Sequence, residues 1–263
     1  MSLANFELVL ERTSDQEPVE VHLHGFGEPL LDPDLPTKIK RARRQWHKAK
    51  ILFFTTLGVE CKPGYLRNLV NSRPTAIRIS CYGFSPASYR KIHGVDRFEL
   101  FHQNLCSLVK EQRAAAHQIE LHMITTSLRQ WPNLGDKESI LRTAFLNQIR
   151  DMGIIVNESF NPHNYGGGRN YRSAARSGIC SIAWGWRRHI LQVTWDLAVI
   201  PCCFDFDATI RFGSLETETL PAIFSSRLYQ DFLTAHRTNQ LAAFPICYNC
   251  ERCFLAAPDK PEQ

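Results

Sequence analysis

The 263-residue chain predicts an α/β fold built on a parallel sheet, open or curled into part of a barrel. Two observations predict it. Over the first 160 residues or so, apolar runs of strand length alternate with stretches of helical periodicity. The distance between successive strands leaves room each time for a helical crossover, which is what parallel pairing requires. A third observation sets off a second unit: six of the nine cysteines lie in the last third of the chain.

Taken in order, Ser2 caps a short helix with the apolar face Leu3, Phe6, Val9 and Leu10. Pro18 closes the linker before the alternating strand Val19–His24. A helix is expected from Pro36 to Lys48, then the apolar strand Ile51–Thr55, a helix over Tyr65–Val70 and the strand Ala76–Cys81. A long helix from Phe98 to Ala115 leads to the strand Ile119–Thr125. Asp136 is expected to cap a helix that Gly153 stops, before a short strand, Ile154–Val156. A βα series should open on a strand, whereas this one opens on a helix and leaves Val19–His24 with an unpaired edge. The expectation is that a strand is missing upstream.

Composition narrows the function classes. A 44% hydrophobic content fills a sizeable core. No apolar run approaches the roughly 18 residues of a bilayer span, and no basic stretch at the N-terminus leads into an apolar one, so a cytoplasmic location is expected. The net charge of +5 comes from clusters such as Lys38–Lys50 and Arg187-Arg188. At helical spacing these read as solvated faces, so neither a DNA nor a membrane partner is expected. Without a secretory signal, nine cysteines do not suggest a disulfide framework; crowded thiols point to metal.

The strand Val19–His24 ends in His24-Gly25-Phe26-Gly27-Glu28-Pro29-Leu30-Leu31. Glycines let a backbone approach a ligand closely, and a carboxylate there can pair with an ammonium group. His22 and His24 share a strand face and read as packed or hydrogen-bonded side chains rather than a metal site. The turn resembles the S-adenosylmethionine-binding turn of radical SAM enzymes, and three further segments are similar to that family in order and spacing. Phe54-Thr55-Thr56-Leu57-Gly58 resembles its next strand end, with Leu57 where asparagine is usual. Ile79-Ser80-Cys81-Tyr82-Gly83 with Tyr89–Gly94 is similar to the fourth-strand motif and the helix after it, and Pro162–Gly168 to a glycine-rich segment after the sixth strand. The resemblance implies a cofactor site of Gly25, Gly27, Glu28, Pro29, Thr56 and Ser80, with Glu28 on the amino group of S-adenosylmethionine.

The last third is similar to the SPASM extension behind radical SAM domains. Cys180 is followed by a hairpin-like pair, Ile190–Trp195 and Ala198–Cys203, turning at Asp196-Leu197 where glycine is usual after the aspartate. Phe212-Gly213-Ser214-Leu215, with serine in place of asparagine, leads to a helix from Leu220 to His236 and to Cys247-Tyr248-Asn249-Cys250-Glu251-Arg252-Cys253. Four thiolates from three segments can hold a cluster or a single ion. The resemblance implies that Cys180, Cys202, Cys247 and Cys250 hold an auxiliary 4Fe-4S cluster. Cys203 and Cys253 are within reach of the same site but read as unligated buried thiols.

The fold so implied is a partial (β/α) barrel of the radical SAM type lacking its first strand, with a small cysteine-rich SPASM extension. The expected divisions are a barrel at 1–165, a linker at 166–178, a SPASM-like domain at 179–256 and a disordered tail at 257–263. The parent activity is S-adenosylmethionine-dependent radical modification of a peptide or protein substrate. No Cys-x-x-x-Cys-x-x-Cys occurs in the chain, so on this reading it does not cleave S-adenosylmethionine by itself. Three explanations stay open: an N-terminally incomplete enzyme, a degenerate non-catalytic iron–sulfur binding or carrier module, and an α/β protein with a four-cysteine zinc site. Arg187, Arg188, Trp184, Trp186 and Trp195 are candidates for a substrate surface or for shielding of the cluster.

Overall fold

The structure, a computed structural model, describes residues 1–126, 136–160, 180 and 190–250. The Pro162–Gly168 segment, the linker, Trp184, Trp186, Arg187, Arg188, Cys253 and the tail lie outside the described residues. The chain divides into two compact units, one of residues 16–161 and one that joins residues 1–15 to 162–263.

The first unit is an all-parallel sheet with strands in sequence order: β1 (Glu20–His22), β2 (Lys50–Thr55), β3 (Ala76–Ser80), β4 (Glu120–Thr126) and β5 (Ile155–Phe160). Among the described residues β1 and β5 are its edges, as an open or partial barrel requires. The regular part of β1 is shorter than Val19–His24, although Lys50 N–H to Val19 O (2.9 Å) and Leu23 N–H to Leu52 O (2.8 Å) continue the ladder one residue each way. Two-residue alternation buries Ile51, Phe53, Ile77, Ile79, Leu121 and Met123 on one face. The other face carries Phe54, Arg78, Ser80 and His122, all half-buried.

Between these strands lie α2 (Leu35–Gln45), α3 (Tyr65–Asn71), α4 (Pro86–His93), α5 (Phe98–Ala114) and α6 (Asp136–Asp151). Ser85 starts α4 with a reciprocal capping box, and Gly94 ends it at φ +74°. Gly153 closes α6 at φ +84°, in the left-handed region expected of a helix stop. The basic stretch from Lys38 onward is only partly a solvated face. Lys38 is buried and paired with Asp32, and Arg43 donates to Ala49 O, Arg73 O and Thr75 Oγ1, tying α2 to the strand entrances. A guanidinium can satisfy several carbonyls at once, which is why a basic residue serves there.

The second unit includes α1 (Leu3–Arg12), whose N-cap is Ser2, accepting from Asn5 N–H at 3.0 Å. Asn5 Nδ2 in turn donates to Trp195 O (3.1 Å). A small antiparallel sheet joins β6 (Gln192–Val193), β7 (Ala198–Ile200) and β8 (Gly213–Ser214). Leu197 takes φ +66° at the β6–β7 turn, the conformation for which glycine is usual. The single helix expected over Leu220–His236 is two, α7 (Leu220–Ser225) and α8 (Arg227–Arg237). Ser226 breaks it: its backbone is extended (ψ 148°) and its hydroxyl accepts from Tyr229 N–H, which makes it a new N-cap. Val199, Phe212, Leu215, Ile223, Phe232 and Phe244 form the core, and α9 (Pro245–Tyr248) follows.

Candidate functional site

The carboxyl ends of β1, β2 and β3 gather one set of candidate residues at the C-terminal end of the sheet. Parallel strands place successive C-terminal loops side by side there, where open α/β sheets bind ligands. Gly25–Glu28 leaves β1 and enters a 3-10 turn at Pro29–Leu31. Thr56 follows β2, and Ser80 ends β3 beside Ile124, one strand over from the Thr55–Ile79 pair.

Glu28 is the centre of this set. Its Oε1 accepts from Thr55 Oγ1 (2.6 Å) and Leu30 N–H (3.1 Å), and its Oε2 from the N–H and Oγ1 of Thr56 (both 2.7 Å). Four donors fix the carboxylate, fastening the turn after β1 to the end of β2. Gly25 and Gly27 are exposed, and a Cβ at either meets no atom within 4 Å. Packing within the chain therefore does not require glycine at these two positions.

The loop after β2 is held from behind. Leu57, in the place where asparagine is usual, is buried and adopts φ +55°, a left-handed conformation that a branched apolar residue tolerates poorly. Asn104 of α5 restrains it by donating to Leu57 O and Val59 O, both at 2.8 Å. Sequence reasoning missed Asn104 and Thr55. The signal for Asn104 was a lone amide on the apolar face otherwise formed by Phe101, Leu105 and Leu108.

His24 is a packed side chain and His22 an exposed one paired with Glu20. His22 Nε2 lies 3.1 Å from Glu20 Oε2, and the His24 ring stacks on His22 and packs against Phe54. Burial lowers the His24 pKa to about 4, with the neighbouring His22 and Arg78 adding to the effect. Cys81 is fully buried, donates to Gly83 O (3.1 Å), and is pushed up to about 12 by desolvation, which makes it an inert thiol.

The second unit gathers the other set. Cys180, Cys202, Cys247 and Cys250 all line one small cavity, with Pro201, Phe204, Phe232 and Ile246 as its apolar wall. Cys202 stands at the end of β7. Cys247 and Cys250 are brought to one side by the tight turn at the end of α9, where Cys250 N–H donates to Cys247 O (3.1 Å). Cys203 does not line the cavity, and, contrary to the expectation of a buried thiol, it is exposed. The described cysteines are thiols rather than disulfides.

Desolvation pushes Cys202 up to about 12, and the nearby Cys203, Cys180 and Cys250 sulfurs raise it further. Cys247 is raised by the same causes, with Cys202 the first of its neighbours. Thiols that oppose one another's ionisation in an apolar wall are relieved together when a cation takes the space between them. Among the described residues, no three Cys, His, Asp or Glu crowd together as donors to a single ion would. The four sulfurs line the wall of one cavity, a donor set whose chemistry suits either an iron–sulfur cluster or a soft ion such as zinc.

Two polar residues complete the wall, and sequence reasoning found neither. Asp205 is buried, but its carboxylate is engaged by Thr209 N–H (2.8 Å), Thr209 Oγ1 (2.7 Å) and Ile210 N–H (2.9 Å). His236 of α8 is 0% exposed, its ring lies edge-on to Phe232, and both its ring nitrogens are buried without a hydrogen-bond partner. Its sequence signal was position alone, four residues after Phe232 on the buried face of a helix.

Residues 180–253 match the model of the SPASM family, an iron–sulfur cluster-binding domain. No curated protein matches the chain. Among solved structures, the chain is similar to BtrN in complex with AdoMet and 2-DOIA (TM-score 0.61, 14% identity, 98% of this chain and 83% of that one). It is also similar to anSMEcpe with bound AdoMet (TM-score 0.60, 14% identity, 99% and 83%). A third is Streptococcus suis SuiB bound to the precursor peptide SuiA (TM-score 0.60, 11% identity, 89% and 60%). The resemblance read from the motifs is borne out to this extent: residues 180–253 match the SPASM iron–sulfur cluster-binding model, and the chain shares the fold of these solved structures.

Proposed function

We propose that the chain is a radical SAM/SPASM-type protein whose parent activity is S-adenosylmethionine-dependent radical modification of a peptide or protein. On this reading it holds an auxiliary 4Fe-4S cluster at Cys180, Cys202, Cys247 and Cys250. The observation that carries the reading is the convergence of these four cysteines, from three chain segments, on one cavity. The likeness to structures with AdoMet and with peptides bound supports the cofactor and the substrate class.

When bound, the auxiliary cluster supplies a one-electron centre or a point of attachment for substrate. The chain's own residues bind and orient. Gly25 and Gly27 leave the turn after β1 open to close approach by a ligand, and Glu28 presents a fixed negative charge toward an ammonium group. The Thr55 and Thr56 hydroxyls can rotate away from Glu28, releasing lone pairs for that ammonium while Thr56 N–H keeps the carboxylate in place. On this reading Ser80, at the end of β3, meets the ligand's polar end.

The test is anaerobic purification of the full chain with iron, acid-labile sulfide and zinc analysis, followed by calorimetric titration with S-adenosylmethionine. About four irons and four sulfides per chain and saturable binding are expected. A colourless protein that holds zinc and no sulfide would overturn the cluster assignment, and absence of binding would overturn the cofactor site.

A further inference from the structure

His236 is a buried group that the site leaves without a function. An imidazole sealed from water with neither nitrogen hydrogen-bonded loses interactions that water would give it, a cost that folded proteins rarely leave uncompensated. His236 lines the same cavity as the four cysteines, and the side chains of its neighbours in that wall, Phe232, Phe204 and Ile246, offer no acceptor. Asp205, the other polar side chain there, is already held by Thr209 and Ile210. Among the described residues of that wall none supplies a partner, and the cavity itself is the place where one can sit. A neutral imidazole has one N–H to give, and sulfide or thiolate sulfur on an iron–sulfur cluster accepts such hydrogen bonds.

We propose that His236 donates its ring N–H to a sulfur of the cluster held by Cys180, Cys202, Cys247 and Cys250, and thereby raises that cluster's reduction potential. The inference rests on the cluster reading given above. A hydrogen bond to sulfur stabilises the reduced state, which carries one more negative charge, more than the oxidised one. His236 is thus a positioning residue that sets the electron affinity of the site without being a ligand. Its place on α8, packed edge-on to Phe232, fixes the ring against rotation away from the cavity.

The experiment uses the full chain, reconstituted anaerobically, as wild type, His236→Phe and His236→Gln. Iron and sulfide are determined for each, and the potential is read by a dithionite titration followed by electron paramagnetic resonance of the reduced cluster. The Phe variant should keep its cluster. At the wild-type midpoint its reduced-to-oxidised ratio should fall about two- to tenfold, the equivalent of one hydrogen bond. The Gln variant, which retains an N–H donor, should recover part of that change. An unchanged midpoint in the Phe variant overturns the proposal.

Should the Phe variant lose its cluster, pulsed resonance on reduced wild type grown with 15N-histidine still decides. A weak nitrogen coupling that is absent in the Gln variant or, if that variant too lacks a cluster, of hydrogen-bonded size is expected. No coupling, or a strong one diagnostic of an iron–nitrogen bond, overturns the proposal. Zinc without sulfide in the wild type removes the cluster reading itself, an outcome distinct from an intact cluster indifferent to residue 236.

Discussion

The backbone N–H and the hydroxyl of Thr56 both donate to Oε2 of Glu28 at 2.7 Å, joining the turn after β1 to the end of β2 across 28 residues of sequence. Glu28→Gln puts an amide donor opposite donors. A loss of about 1–3 kcal/mol in urea titration and at least a tenfold loss of S-adenosylmethionine affinity by calorimetry are expected. Thr56→Val removes only the hydroxyl, so its stability loss should be about 1 kcal/mol.

Two glycines of the same region separate packing from binding. A Cβ on Gly83 would stand 2.3 Å from the backbone N and Cα of Tyr89, in the first turn of α4, and backbone cannot swing aside as a side-chain tip can. Gly83→Ala should cost on the order of 3 kcal/mol in chemical denaturation. A Cβ on Gly27 meets nothing within 4 Å. Gly27→Ala should leave stability within about 0.5 kcal/mol of wild type and weaken ligand binding. Equal stability losses in the two variants would contradict this division.

The sheet was legible because parallel strands buried on one face and covered by helices leave a strong periodic signal. Five strands and the helices between them match to within a few residues. The site was legible where glycine, proline or cysteine marked it. It was illegible where a residue's role depends on an element distant in sequence. Asn104 matters because the carbonyls of Leu57 and Val59 lie over it, and His236 because the cysteines converge beside it. Ser226 was missed because its cap competes with a continuous helix on equal periodicity.

Asn104 gives a prediction of its own. Its amide is the side-chain partner of two carbonyls in a loop that already holds Leu57 at φ +55°. Asn104→Leu fits the apolar face of α5 but removes both hydrogen bonds. A stability loss of about 1–3 kcal/mol is expected, with faster amide exchange confined to the loop after β2. A fully stable variant would show that the loop does not need this restraint.

His93 should make the first unit acid-sensitive. Burial lowers its pKa to about 4, and its Nε2 accepts the Tyr82 N–H at 3.2 Å, which a protonated ring cannot do. The folded state binds the proton less readily than the unfolded state, whose histidine titrates near 6.5. Its stabilising effect is therefore complete above about pH 6.5 and is lost progressively as pH falls toward 4, by about 3 kcal/mol at most. His93→Gln keeps an acceptor for Tyr82 and carries no charge. Its unfolding free energy should fall less steeply between pH 6.5 and 4 than that of the wild type.

Neighbouring cysteines provide the sharpest check on the ligand set. Cys202 lines the cavity, whereas Cys203, the next residue, is exposed and is not among the lining residues. Serine replaces thiol with little change in volume but is a far poorer ligand for iron. Cys202→Ser and Cys247→Ser should each lose most of the iron and acid-labile sulfide after anaerobic reconstitution, whereas Cys203→Ser should retain them at the wild-type ratio. Because burial and neighbouring sulfurs hold the Cys202 and Cys247 thiols protonated, assembly of a cluster on them would release protons and should slow as pH is lowered. If Cys203→Ser lost the cluster while Cys202→Ser kept it, the site would have to be rebuilt around the exposed residue.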